Sequence, residues 1–142
     1  MYGYSCNLLT DTEVITYILD YLTRKQGLTL EECSHVIAAP FWSTIAATED
    51  EDERNRLSYM RNMFSSFLIT GPFSILVGFN GGMMALNDRL KLRSLVAAEK
   101  GHTVYFSSEE AAIRVIEDNP DRIWAPRGGE AVIVTLEKEA GR

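Results

Sequence analysis

The chain has 142 residues, 46% of them hydrophobic, which is the size and apolar content of one domain with a buried core. Fourteen Lys and Arg against twenty Asp and Glu give a formal charge of -6 and an isoelectric point near 4.9. No basic cluster is interleaved with aromatic residues, which argues against a nucleic-acid surface and against an anionic membrane surface. Two widely spaced cysteines, Cys6 and Cys33, with neither a leader-like segment nor a long apolar run, read as a reducing, cytoplasmic setting. The histidines, His35 and His102, stand far apart and outside any ligand spacing, so a metal site is not expected.

In chain order, Met1 to Leu9 alternates like a strand from its first residues, with no earlier element to pair with. A domain that begins inside a sheet implies a missing N-terminal part. Residues 11 to 26 place Val14, Ile15, Ile18, Leu19 and Leu22 at helical spacing, capped by Thr10 or Asp11 and stopped by Gly27. A second short helix is predicted from Thr29, whose hydroxyl and Glu32 make a capping box, and it ends before Pro40. The segment TEDEDERNRLSYMRNMFSSFLI predicts a third helix whose core stripe is Leu57, Met60, Phe64, Phe67 and Leu68.

Gly71-Pro72 then ends the helical half. Phe73 to Phe79 and Met83 to Leu86 read as two antiparallel strands about an Asn80-Gly81-Gly82 turn. A second strand pair turns at Lys100-Gly101. A short helix follows, capped by Ser107 or Ser108 with Glu109 and Glu110 in its first turn. The chain finishes with Ile123 to Ala125 and Ala131 to Leu136, separated by Arg127-Gly128-Gly129. Grouped helices and hairpin-linked strands make an α+β fold in one unit covering residues 1–142.

Four ordered stretches, LLTDTEVITYILDYL, GPFSILVGFNGGMMALNDRLKLRSLVAAE, HTVYFSSEEAAI and IWAPRGGEAVIV, resemble class II glutamine amidotransferase domains. They look most like the amidotransferase portion of glutamate synthase, especially the stand-alone type of archaea and some bacteria. The resemblance spans nearly all of the chain but only the later part of such a domain. It implies an N-terminal nucleophile hydrolase fold, an αββα sandwich with antiparallel sheets between helical layers, here incomplete.

In that family an N-terminal cysteine attacks the side-chain amide of glutamine while its own α-amine serves as base. An asparagine-glycine pair stabilises the oxyanion, and an arginine and an aspartate hold the substrate. Of these only the aspartate maps here: Asp11, in its Thr-Asp-Thr-Glu context, would receive the α-ammonium of glutamine. Cys6 lies too close to Asp11 to match the nucleophile and is expected to be a structural strand cysteine; Cys33 reads as a buried helix residue. Asn80-Gly81 falls after the aspartate rather than before it and reads as a hairpin turn.

LNDRLKLRS corresponds to the family's Asp-Arg-x-Gly-x-Arg-Pro loop, with Asp88, Arg89 and Arg93 retained, Lys91 at the glycine and Ser94 at the proline. These three charged residues are expected to form an ion-pair network that orients the loop. Ser107, Ser108 and Glu109 match a segment that caps a helix near the pocket. No catalytic residue maps onto the chain, and neither His35 nor His102 is assigned a role.

The resemblance implies hydrolysis of glutamine to glutamate and ammonia for glutamate synthesis, with no cofactor in this chain and with flavin and iron–sulfur in a synthase partner. Without the nucleophile region the chain by itself is expected to be inactive, a truncation or one half of a split domain. A non-catalytic binding or regulatory module is the alternative. Unpaired sheet edges predict the missing segment, a synthase subunit or a second copy as partner.

Overall fold

The computed structural model describes residues 3–8 and 10–136. Five helices are α1 Asp11–Asp20, α2 Leu30–Ile37, α3 Trp42–Ala46, α4 Glu51–Met63 and α5 Glu110–Ile116. Six strands are β1 Ser74–Phe79, β2 Gly82–Asn87, β3 Val96–Lys100, β4 Thr103–Ser107, β5 Arg122–Trp124 and β6 Val132–Thr135. They form two antiparallel three-stranded sheets of order β1-β2-β6 and β4-β3-β5, so the chain is α+β.

Local chemistry accounts for most helix starts. Thr10 rather than Asp11 caps α1, its hydroxyl accepting from the Glu13 N–H, and Asp11 is the first helical residue. A π-helical turn, Tyr21–Lys25, extends α1 toward Gly27, whose φ of 72° is the left-handed conformation that glycine adopts without strain. The Thr29–Glu32 capping box of α2 forms in both directions. Asp50 caps α4 by accepting from Asp52 and Glu53. The predicted third helix stops at Met63, and a 3-10 turn, Ser65–Phe67, carries Phe64 and Phe67 inward. Helix α3 follows Pro40 within a segment too short to show a helical period, and the sequence reading missed it.

The core lies between the helices and one face of the first sheet. Register pairs Ile75 with Leu86 and Val77 with Met84, so these side chains share a face. That face packs on Leu19, Leu22, Cys33, Val36, Ile37 and Met60. Each fully buried Leu or Ile here contributes about 1.5–3 kcal/mol of transfer free energy. The opposite face, with Leu76 and Met83, looks across a cleft of about 660 Å³ toward Glu99, Val104 and Phe106 of the second sheet. The two sheets are thus stacked, with α1 and α2 covering the outer side of the first.

Two expectations are corrected here. Described residues 3–8 form no strand; Met1, Tyr2 and Leu9 lie outside the described residues. Instead this segment runs back along α1, with Tyr4 stacked on Tyr17 at 5.0 Å and donating to the Asp20 carboxylate. The N–H groups of Asn7 and Leu8 donate to Glu13, both at 2.8 Å. Alternation here reflects contact with a helix rather than a sheet. Cys6 is accordingly exposed and not a strand residue, whereas Cys33 is buried as expected and its thiol is pushed up to about 12 by desolvation.

The hairpin is seated where expected, but Asn80 keeps a negative φ and only Gly81, at 88°, is left-handed, so the turn is not the type I′ that Asn-Gly favours. Gly82 is required by space: a Cβ there would lie 2.3 Å from the Val134 carbonyl of β6. The third sheet-forming run is one residue earlier than predicted, β5 ending at Trp124.

His35 on α2 is half-buried, with Nδ1 enclosed and unpartnered among the described residues. Burial, then the Arg56 charge, lowers its pKa below 6.5, against the opposing pull of Glu31, Glu53 and Glu32. The unfolded chain therefore binds the extra proton more readily, and folding stability falls as pH drops from about 6.5 toward the lowered folded value. In urea titrations between pH 7 and 5, His35→Gln should show a shallower loss of stability than the wild type, the difference being at most about 1.4 kcal/mol per pH unit. Equal slopes would show that His35 is not the titrating group.

Candidate functional site

Asp11 sits exposed in the first turn of α1, where a negative charge suits the helix dipole. Its Oδ1 accepts from the Thr12 N–H at 2.8 Å and faces the Thr12 hydroxyl at 3.4 Å. Oδ2 accepts no hydrogen bond among the described residues. A single carboxylate oxygen turned to solvent can accept from an ammonium group. The adjacent face of α1 lines a cleft of about 330 Å³ with Tyr4, Cys6, Tyr17, Tyr21 and Phe67. Asp11 does not line it. The Tyr4 side of this cleft is fixed by Asp20, whose carboxyl is held down to about 2 by the Arg24 guanidinium 2.8 Å away and by the Tyr4 hydroxyl.

The most organised polar centre is Asp88, just past the end of β2 and only 2% exposed. Its Oδ1 accepts from the N–H groups of Leu90 at 3.0 Å and Leu92 at 3.1 Å; Oδ2 accepts from Arg93 at 3.0 Å and Phe73 at 3.3 Å. Burial alone would raise this carboxyl, but the four donors outweigh it and hold the pKa below 3.8. The Asp88 N–H completes the knot by donating to the Phe73 carbonyl at 2.9 Å. One carboxylate therefore ties the entrance of β1 to a loop that follows β2.

That loop passes through Lys91 at φ 55°, the one left-handed non-glycine among the described residues. Here the expected ion-pair network is corrected. Asp88 forms no ion pair with Arg89 or Arg93 among the described residues; its acceptors are spent on backbone N–H groups. Arg89 turns the other way, donating from Nη1 to the Ala39 carbonyl at 3.3 Å and lying over the Phe41 ring at 4.7 Å. Among the described residues Arg93 contributes backbone only: its N–H goes to Asp88 and its carbonyl accepts from the buried Asn87 Nδ2 at 3.3 Å, while Asn87 Oδ1 has no partner there.

A third loop closes on the second. Gly128 lies so near that a Cβ there would come within 2.5 Å of the Arg89 carbonyl, and Gly129, at φ 77°, approaches the Ala38 carbonyl. The segment Arg127-Gly128-Gly129, read in the sequence as a spacer between strands, is thus a packing element of this junction.

Ser107 and Ser108 do not cap α5. Glu109 occupies the cap position without a side-chain bond, and the Ser107 hydroxyl accepts from the Glu109 N–H at 3.3 Å in a local turn. Pairing of Val96 with Ser107 puts this turn at the same end of the second sheet as the strand that emerges from the Asp88 loop. No hydrogen bond or ion pair joins Asp11 to either group among the described residues. What the sequence did not reveal was that Asp88 works through backbone donors; its place ahead of alternating Leu and charged residues gave no such signal.

No three His, Cys, Asp or Glu side chains converge on a metal position among the described residues. No helix there is long and apolar enough to cross a membrane. Comparison with known proteins gives no matching family model and no matching solved structure. A protein of Archaeoglobus fulgidus, whose name says only that it is uncharacterized, is 43% identical over 145 residues. The match covers 100% of this chain and 38% of that relative, so the chain spans well under half the length of the protein it resembles.

Replacing Asp88 with Asn keeps its size but offers a single acceptor oxygen to four donors. Asp88→Asn should cost roughly 2–3 kcal/mol of unfolding free energy at pH 7, measured by urea denaturation. Because the folded pKa is lowered, the wild-type advantage is complete above pH about 4 and disappears as pH falls through the folded value. A loss below about 0.5 kcal/mol would mean that the loop is held by something else.

Proposed function

We propose that the chain is the later part of a class II glutamine amidotransferase domain, serving hydrolysis of glutamine to glutamate and ammonia in a glutamate synthase-type system. The observation that carries the reading is Lys91. It stands where the resembled loop has glycine, and it takes the left-handed backbone that glycine would take there. The bonds of Asp88 to Leu90, Leu92 and Arg93 then hold that backbone in place. A left-handed residue at the position where the resembled loop has glycine supports the reading of a retained loop with a substituted residue.

Two further features support it. Stacked antiparallel sheets with helices on one outer side are what part of an αββα sandwich would present. Strand β1 pairs only with β2 among the described residues, and a groove of about 520 Å³ runs between it and Thr12, Ile15 and Leu19 of α1. A strand from the nucleophile-bearing half would find both backbone partners and apolar cover there.

In this proposal Asp11 accepts from the α-ammonium of glutamine, while the nucleophile, the oxyanion donors and the carboxylate-binding arginine come from the other half. Neither cysteine suits the nucleophile's part: Cys6 is preceded by five residues, and the Cys33 thiol is buried. This favours a chain that is inactive by itself, and it is also the observation on which a purely binding or regulatory module would rest. Ammonia would pass to a synthase partner, where flavin and iron–sulfur would supply the reducing equivalents.

Co-expression with a segment that begins Met-Cys-Gly and contains Asn-Gly should restore glutaminase activity. In that assembly Asp11→Asn should raise the KM for glutamine roughly 10- to 100-fold, the value of one charge-assisted hydrogen bond, with a smaller effect on kcat. No activity in any such assembly would favour the binding module, and an unchanged KM would remove Asp11 from the site.

A further inference from the structure

Arg61 of α4 lies over the Trp42 ring, 4.5 Å from its centroid. Arg89 lies over neighbouring Phe41. Stacking on an aromatic face satisfies none of a guanidinium's five N–H donors. Arg61 makes no hydrogen bond and no ion pair among the described residues, and its Nη1 is enclosed without a partner. Its neighbouring charge is another cation, Arg89, and that repulsion together with burial works against the charged form.

Three other arginines are engaged differently. Arg24, Arg56 and Arg114 each engage a carboxylate, at 2.8, 2.8 and 2.6 Å. With twenty acidic residues and a charge of -6, carboxylates are plentiful, yet none pairs with Arg61 among the described residues. A partly desolvated guanidinium stacked on an aromatic ring, with a second cation as its neighbouring charge, is costly without an anion, and an anion would relieve both the repulsion and unmade hydrogen bonds.

The space for one is present. Arg61 lines a cleft of about 220 Å³ with Ala39, Trp42, Asn62 and Ser65. Asn62 and Ser65 add neutral donors, and Ala39 is the residue whose carbonyl anchors Arg89. We propose that Arg61, seated on Trp42 and lining this cleft, with Arg89 as the neighbouring charge outside its lining, forms a binding site for a small oxyanion, a carboxylate or a phosphate. Planar forks of this kind match the paired oxygens of either group. The site is independent of Asp11 and of the amidotransferase reading.

Trp42 reports on it directly. The chain has two tryptophans, so Trp124→Phe leaves Trp42 as the sole indole. In that background, inorganic phosphate and glutarate are titrated against the full chain at constant ionic strength maintained with chloride, reading Trp42 emission and Tm. The expected result is a saturable emission change with at least one of the two anions, accompanied by a rise in Tm. Tighter binding of phosphate assigns a phosphate-bearing ligand; tighter binding of glutarate assigns a carboxylate.

Arg61→Gln should weaken binding at least about tenfold while raising the Tm of the anion-free protein through relief of the Arg61–Arg89 repulsion. Arg61→Lys keeps the charge but loses the fork, and should bind with intermediate affinity. Responses no larger than that of chloride alone for both anions, or undiminished binding by Arg61→Gln and Arg61→Lys, would overturn the proposal.

Discussion

The carboxylate of Asp88 is the interaction on which the arrangement of the second half depends. Four backbone donors, the farthest of them fifteen residues from Asp88 in sequence, converge on its two oxygens. A buried charge is ordinarily a liability; here each oxygen has two donors, so desolvation is offset without an opposing cation. The consequence is geometric. The start of β1, the end of β2 and the loop leading toward β3 are fixed to one point, and that loop carries the chain from the first sheet to the second.

Around that point the molecule closes by backbone approach rather than by side-chain packing. Gly128 and Gly129 let one loop press on Arg89 and Ala38, and Arg89 in turn reaches the Ala39 carbonyl. The junction therefore links the helical layer, the first sheet and the connection to the second. Apolar packing is one-sided by contrast. The face of the first sheet toward α1 and α2 is filled, while the face toward the second sheet leaves Leu76 at 56% and Met83 at 40% exposed across the cleft. Partly filled apolar surface of this kind marks a place where further contacts can form.

Much of the fold was legible because its signals are local. Thr29 with Glu32, Gly27 after a basic turn, and alternation on either side of Asn80-Gly81 each specify backbone chemistry within a few residues. The misses share a cause, which is that the deciding partner lies far away in sequence. Residues 3–8 alternate because Tyr4, Asn7 and Leu8 answer to α1. Asp88 and Arg89 read as an ion pair because opposite charges are adjacent, yet each is drawn to backbone, one to Phe73 and the other to Ala39. Arg61 carries no local signal in the sequence; its placement over Trp42, with Nη1 unpartnered among the described residues, emerges only in the fold.

The central proposal is that these residues are one part of a sandwich whose other part adds to the edge of β1, which pairs only with β2 among the described residues. Amide hydrogen exchange on the chain, alone and after addition of the nucleophile-bearing segment, measures this most directly. The account predicts that the amides of Ser74–Phe79 not bonded to β2 exchange rapidly in the isolated chain and become strongly protected on addition, together with the α1 residues lining the groove. Exchange at β1 that is unchanged by the segment, or already slow without it, would contradict it.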